Sequence, residues 1–229
     1  MIPATVQLEQ LTRDGFVIIP DLISDATVNN LTAIMESTDA TYGRRNLLAN
    51  FEGIRSVVRS DAVCSLVHSV LGSNAFAVRG LFFDKTPAAN WMVGWHQDRT
   101  IAVQARREAP GFTLWTMKAD VNHVQPPASV MEQMLAVRLH LDDTDETNGG
   151  LRIIPGSHRA GFISEDAVGD WVRRHEPITC LVPRSGALVM RPLLLHASSK
   201  ATHPAHRRVL HLEFASQSLP SGLEWAIRV

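Results

Sequence analysis

From residue 75 onward the chain is broken into short apolar runs, at 75–85, 133–141, 151–154, 178–182, 187–190, 193–197 and 207–215. Turn signals such as Asn148-Gly149-Gly150 and Arg184-Ser185-Gly186 separate them. Runs of this length bounded by Gly, Asn and Ser read as β-strands. The first 74 residues have a different texture. Asp14-Gly15 opens one short strand, Phe16 to Ile19, closed by Pro20. Ser24 or Asp25 can then cap a helix whose apolar positions Val28, Leu31, Ile34 and Met35 recur at helical spacing. A second helix is predicted over 60–70, stopping at Gly72. Helices first and many short strands after predict a mainly β protein with flanking helices, its core a double-stranded β-helix (jelly roll, cupin-like). We expect one domain over 1–229: residues 1–74 as a mostly helical buttress and 75–229 as the barrel core, with an inserted loop at about 99–130.

Composition narrows the function classes. Hydrophobic residues make up 45% of the 229 positions, ample for a core. The formal charge is −1 and the basic residues are scattered, apart from pairs such as Arg106-Arg107 and Arg173-Arg174, so no field suited to nucleic acid is present. Apolar runs such as Leu193-Leu194-Leu195 are too short to span a bilayer. Glu9, Arg13 and Asp14 make the start unlike a signal peptide. Cys64 and Cys180 are far apart and read as reduced, buried thiols, which predicts a cytoplasmic protein.

The chemistry lies in His96-Gln97-Asp98, followed by a lone His196 and then Arg207. Two imidazoles and one carboxylate are the ligand set that holds non-haem Fe(II) with open coordination positions. With ten histidines and 23 acidic residues, about one His-x-Asp/Glu triplet is expected by accident, and three are present. His211-Leu212-Glu213 has no histidine after it to complete a set. His140-Leu141-Asp142 has both His158 and His196 downstream, although it runs into the acidic turn Asp142-Asp143-Thr144-Asp145-Glu146. His96 and Asp98 sit beside Trp91 and Trp95, which suits a walled pocket. On spacing alone, the first and second triplets both remain candidates.

The order of several blocks resembles the phytanoyl-CoA dioxygenase family of Fe(II)/2-oxoglutarate-dependent oxygenases. They are Asp14-Gly15-Phe16-Val17, Trp95-His96-Gln97-Asp98, Leu141-Asp142-Asp143, the stretch from Asn148-Gly149-Gly150 to Pro155-Gly156-Ser157-His158, Leu195-His196-Ala197-Ser198, and Arg207-Arg208. The resemblance covers most of the chain. It implies Fe(II) held by His96, Asp98 and His196, and it leaves Asp142 in the turn after a central strand. It further implies 2-oxoglutarate as cosubstrate and O2 as oxidant, with succinate and CO2 as products of an oxidation at a substrate C–H. Arg207 matches the family's position for the distal carboxylate of 2-oxoglutarate, a role a guanidinium fork suits, and Ser198 matches the assisting hydroxyl. Related halogenases lack the carboxylate ligand; Asp98 is present here, which favours hydroxylation or a related oxidation.

Arg208 is the rival of Arg207, and strand alternation lets only one face inward. If Arg207 does, so do Val209, His211 and Glu213, while Arg208, Leu210, Leu212 and Phe214 face outward. That arrangement works only if helices cover the outer face and the interior is a site. Arg138 shares a face with His140 and is a further candidate for cosubstrate contact, with a structural ion pair as the alternative. Between the ligand segment and the next core strand, Arg99, Lys118, His123 and Gln125 are candidates to recognise a small, carboxylate-bearing substrate, or else are ordinary loop residues. Two other readings stand beside the oxygenase: a jelly-roll metal enzyme that does not use 2-oxoglutarate, and a non-catalytic binding module retaining the fold.

Overall fold

The computed structural model describes residues 4–37 and 43–229. The helices are α1 (Ala4–Asp14), α2 (Asp25–Glu36), α3 (Leu47–Asn50), α4 (Glu52–Val58), α5 (Asp61–Leu71), α6 (Ala128–Glu132) and α7 (Glu165–Arg174). The early strands are β1 (Phe16–Ile19), β2 (Gly43–Arg44), β3 (Phe76–Lys85), β4 (Val93–His96), β5 (Ile101–Val103), β6 (Thr113–Lys118) and β7 (Val121–Gln125). They are followed by β8 (Met134–His140), β9 (Leu151–Ile153), β10 (Ile178–Thr179), β11 (Ala187–Met190), β12 (His196–Ser198) and β13 (Arg207–Ala215).

Local signals explain the helices that brace the core. The Ser24 hydroxyl accepts the Thr27 N–H at 3.2 Å, satisfying one free donor at the start of α2. Ser60 precedes α5, and Gly72 ends it with φ of 87°, a conformation that favours glycine.

The strands form an antiparallel sheet of order β1-β11-β8-β13-β3-β2, a second of order β10-β9-β12-β4, and a third of order β5-β7-β6. In the first, β13 runs between β3 and β8. Its residues Leu210, Leu212 and Phe214 join Leu135, Val137 and Leu139 of β8 against Val28, Leu31 and Met35 of α2 and Val63 and Val67 of α5. Each such side chain stabilises the fold by roughly 1.5–3 kcal/mol. The opposite face carries Arg207, His211 and Glu213. Near one end Phe16, Leu188 and Met190 of the first sheet pack with Leu151 and Ile153 of the second, closing the jelly roll. Cys64 and Cys180 are free thiols, Cys180 in that same cluster.

The structure departs from the sequence reading in four places. The insertion expected as a loop at about 99–130 holds the third sheet and α6. Its β6 exposes Leu114 and Met117, so alternation could not reveal a strand that backbone pairing with β7 alone defines. The run 193–197 is a strand only from His196, because Leu193, Leu194 and Leu195 turn through a junction and are buried in three separate clusters. The run 178–182 pairs as strand only over Ile178–Thr179. Finally, α1, α3, α4 and α7 were not anticipated; α7 has acidic residues in its first turn and arginines in its last, a signal that could have found it. Among the described residues no helix is long and apolar enough to cross a membrane.

Candidate active site

His96 ends β4 and His196 opens β12, and the two are directly opposite each other across the strand pair. Their ring centroids are 4.2 Å apart. Asp98 follows two residues later, its N–H donating to the Pro192 carbonyl at 3.0 Å, and its Oδ2 lies 3.9 Å from His196 Nε2. One ligand atom from each of the three residues falls within 4.8 Å of the others.

Backbone carbonyls fix both imidazoles. His96 Nδ1 contacts the Gly94 carbonyl and His196 Nδ1 the Leu194 carbonyl, each at 2.8 Å. A carbonyl only accepts, so each Nδ1 carries the proton and each Nε2 offers its lone pair to the site. Burial pushes the His196 imidazole down to about 4, with His96 and Arg138 adding to the effect, so it is neutral at pH 7. Burial alone would raise Asp98, but the neighbouring His196, His211 and His96 and the Arg79 guanidinium hold its carboxyl well below the usual range. Neutral imidazoles and an ionised carboxylate are the forms that ligate a metal. Gln97, between the two ligands, points the other way: it donates to the Gly161 and Leu193 carbonyls and accepts from the Ile163 N–H, which holds the ligand segment in place.

The same cavity, about 160 Å³, is lined by Arg138, Ser198, Arg207 and His211 as well as the three ligands. Lys85, directly opposite Arg207 across β3 and β13, lies behind Ser198. Its Nζ donates to Ser198 Oγ at 3.1 Å and to the Ser199 carbonyl. Arg207, Lys85 and Arg138 are 3%, 1% and 8% exposed. Among the described residues none of the three has an ion-pair partner, and Arg207 and Arg138 each leave a buried Nε without a hydrogen bond. Burial, with Arg138 adding to it, lowers Arg207 to about 10, and burial with Arg207 lowers Lys85 to about 8. Asp84 and Asp98 partly offset Arg207 and Arg138 from a distance, but buried cations without a direct ion pair are costly unless an anion joins them.

The competing histidine triplets resolve on geometry. Asp142 faces outward and takes Arg208 through hydrogen bonds of 2.9 and 2.7 Å, so it is turned away from His140. His140 stays in the interior, its Nδ1 bonded to Thr144 at 2.8 Å and its Nε2 buried without a partner. His211 lies at the site without being free to ligate: Arg138 can only donate to its Nδ1, at 2.9 Å, so its Nε2 carries the proton and donates to Glu213 at 3.0 Å. Glu213 also takes Arg79.

The candidate substrate residues divide. Arg99 donates to the Ile163 carbonyl, stacks on Phe162 and lines neither of the two cavities near the ligands. His123, Lys118 and Gln125 share one face of the β6–β7 hairpin by strand alternation, and of the three His123 lines a second cavity, which shares the wall residue Leu81 with the first. Its Nδ1 donates to the Val121 carbonyl at 3.0 Å, leaving Nε2 as an acceptor, which suits a donor group better than an anion. Sequence reasoning missed Lys85 as a member of the site, since only strand register reveals it.

A jelly roll with two histidines and an aspartate at one cavity defines a metal-site protein of the two-histidine, one-carboxylate class. Residues 11–209 match phytanoyl-CoA dioxygenase (PhyH), and the chain belongs to that family. It is 28% identical over 187 residues to an ectoine dioxygenase of Bordetella bronchiseptica, covering 74% of this chain and 53% of that protein. It is 24% identical over 180 residues to a probable alpha-ketoglutarate-dependent hypophosphite dioxygenase of Stutzerimonas stutzeri, covering 72% and 54%. The chain thus spans about half the length of these relatives. The epimerase SnoN of nogalamycin biosynthesis, solved with Fe3+, alpha ketoglutarate and nogalamycin RO, shares the fold at a TM-score of 0.70 and 12% identity, covering 96% of this chain and 91% of that one.

Proposed function

We propose that this protein is a non-haem Fe(II)- and 2-oxoglutarate-dependent dioxygenase that hydroxylates, or otherwise oxidises, an unactivated C–H of a small organic substrate. The observation that carries this reading is that two buried arginines without ion-pair partners among the described residues, Arg138 and Arg207, share a cavity with two imidazoles and an ionised carboxylate, with the buried Lys85 behind Ser198. A metal alone would satisfy the ligands and leave the cations uncompensated; a dianion that also chelates the metal satisfies both. Family membership and relatives named as dioxygenases support the same reading.

His96, Asp98 and His196 would hold the iron through Nε2, a carboxylate oxygen and Nε2. Arg207 would take the distal carboxylate of 2-oxoglutarate bidentately. Lys85 donates to Ser198 Oγ, so the Ser198 hydroxyl proton is free to point into the cavity toward the same carboxylate. Arg138, held by His211, would add positive charge nearer the metal ligands. When bound, iron and 2-oxoglutarate together activate O2 for the oxidation, with succinate and CO2 as co-products. The protein's part is to orient these groups and exclude water: Phe83, Trp91 and Leu151 supply apolar wall around the charges.

The test is anaerobic titration of Fe(II)-loaded protein with 2-oxoglutarate, followed by the visible metal-to-ligand charge-transfer band of bidentate chelation. A band that is lost in Asp98→Ala and needs more 2-oxoglutarate in Arg207→Ala is the expected result. No band with iron demonstrably bound sinks the proposal.

A further inference from the structure

The geometry points to a substrate subsite that the comparisons leave unassigned. We propose that the cavity between α3 and the β6–β7 hairpin binds a small organic anion, a carboxylate or phosphonate that also bears a hydroxyl or amine, with Arg45 and Lys118 meeting the anion and His123 accepting from the donor group. The inference rests on the oxygenase reading above and names the substrate class for it.

The cavity measures about 180 Å³ and shares Leu81 as a wall residue with the metal-site cavity. Its wall runs from Arg45 and Asn46 to His123, with apolar body supplied by Leu48, Val78 and Ala102. Arg79, on the same wall, bonds Glu213, and Glu213 bonds His211 on the metal side, so the partition between the two spaces is one hydrogen-bonded network. That partition already has its own charge balance, Arg79 being paired with Glu213.

Among the described residues Arg45 and Lys118 have no such partner. Asn46, at φ of 58°, donates from Nδ2 to the Ala119 carbonyl at 3.0 Å, which ties the start of α3 to the turn of the hairpin. This single bond brings the segment carrying Arg45 alongside the turn carrying Lys118. Lys118 pairs with Val121 and lies on the same hairpin face as His123. Among the described residues neither cation has an ion pair or a side-chain hydrogen bond. Burial chiefly depresses the Lys118 ammonium, with Arg45 and Arg79 adding to the effect and Asp98 and Glu213 opposing it, so Lys118 lies within electrostatic reach of Arg45. Arg45 lines the apolar cavity and Lys118 stands beside it on the hairpin face that carries His123, a pair of cations suited to an anionic head group. His123 adds the second element: its protonated Nδ1 is spent on the Val121 carbonyl, so Nε2 can only accept, and it selects a hydroxyl or amine.

The experiment is calorimetric titration of Fe(II)- and 2-oxoglutarate-loaded protein under argon with 4-hydroxybutanoate and with its neutral counterpart, 4-hydroxybutanamide. The carboxylate is expected to bind at least about tenfold more tightly than the amide, and Arg45→Gln and Lys118→Gln each to weaken the carboxylate about tenfold with little change for the amide. Arg45→Lys, which keeps the charge, should recover part of the loss. Butanoate, lacking the hydroxyl, should bind less tightly than 4-hydroxybutanoate in the wild type and about equally with it in His123→Phe. Equal binding of carboxylate and amide, no binding of the carboxylate, or a preference untouched by both glutamine variants overturns the subsite. Loading is checked first by the charge-transfer band. Absence of the band with Arg45-dependent carboxylate binding overturns the oxygenase reading and leaves the anion site standing; a band without carboxylate preference overturns only the subsite.

Discussion

Arg207 and Arg208 are adjacent on β13 and face two different environments. Arg208 looks outward, bonded through Nε and Nη2 to Asp142 and through Nη1 to Glu36 of α2. Arg207 looks inward and, among the described residues, has no ion pair. The same contrast runs along the strand: Leu210, Leu212 and Phe214 are packed under helices, while His211 and Glu213 join a polar network beside the metal ligands. One face is satisfied by the protein itself and contributes stability. The other carries the buried Arg207 without an ion pair among the described residues, an arrangement unfavourable to folding that a bound anion would relieve.

The contrast is broken most completely at the ligands. Asp98→Ala should abolish turnover in an O2-consumption assay while circular dichroism and the unfolding transition stay close to wild type, because removing a half-buried carboxylate that lines a cavity takes away no apolar packing. A collapse of the unfolding transition in this variant would show that the interior face is structural after all. On the outer face the expectation reverses: Leu212→Ala should cost about 2–5 kcal/mol in urea unfolding, with metal and 2-oxoglutarate affinity retained by the folded fraction.

The two arginines sharpen the comparison further. Arg207→Ala should raise the KM for 2-oxoglutarate by roughly 10- to 100-fold, from the loss of a charge-assisted bidentate contact, and should leave the ligand-free protein as stable as wild type or more so, since an unpaired buried cation is removed. Arg208→Ala should do the opposite, costing about 1–3 kcal/mol by stranding the Asp142 carboxylate, with the KM for 2-oxoglutarate unchanged. The smallest effect is in pH. Because Lys85 is pushed down to about 8 from an ordinary value of 10.5, the folded protein binds fewer protons than the unfolded chain between those values. Stability should therefore rise with pH across that window, and the rise should flatten in Lys85→Met. Over the same range kcat/KM for 2-oxoglutarate should fall as the ammonium is lost from the free enzyme.

The alternation on β13 was legible as a conditional: polar residues inward if helices covered the outside. The structure supplies the condition through α2 and α5, and the helical spacing of Val28, Leu31 and Met35 had announced the face that does it. The His96-Gln97-Asp98 block was legible too, but spacing could not separate it from His140-Leu141-Asp142. What separates them is which way Asp142 points, decided by its salt bridge to Arg208. The third sheet was hidden because β6 buries neither face, so its sequence has no period to read.

By itself, then, the sequence determined the local elements whose information is periodic or contiguous: the capped helices, most core strands, and a ligand triplet two residues apart on one strand end. Only tertiary structure decided the partners drawn from distant segments. Lys85 is 113 residues from Ser198, with which it bonds, and Asn46 is 73 from Ala119, the contact that brings Arg45 toward Lys118. Such contacts depend on sheet register and loop closure, which are set by the whole hydrophobic pattern at once and leave no mark at either residue alone.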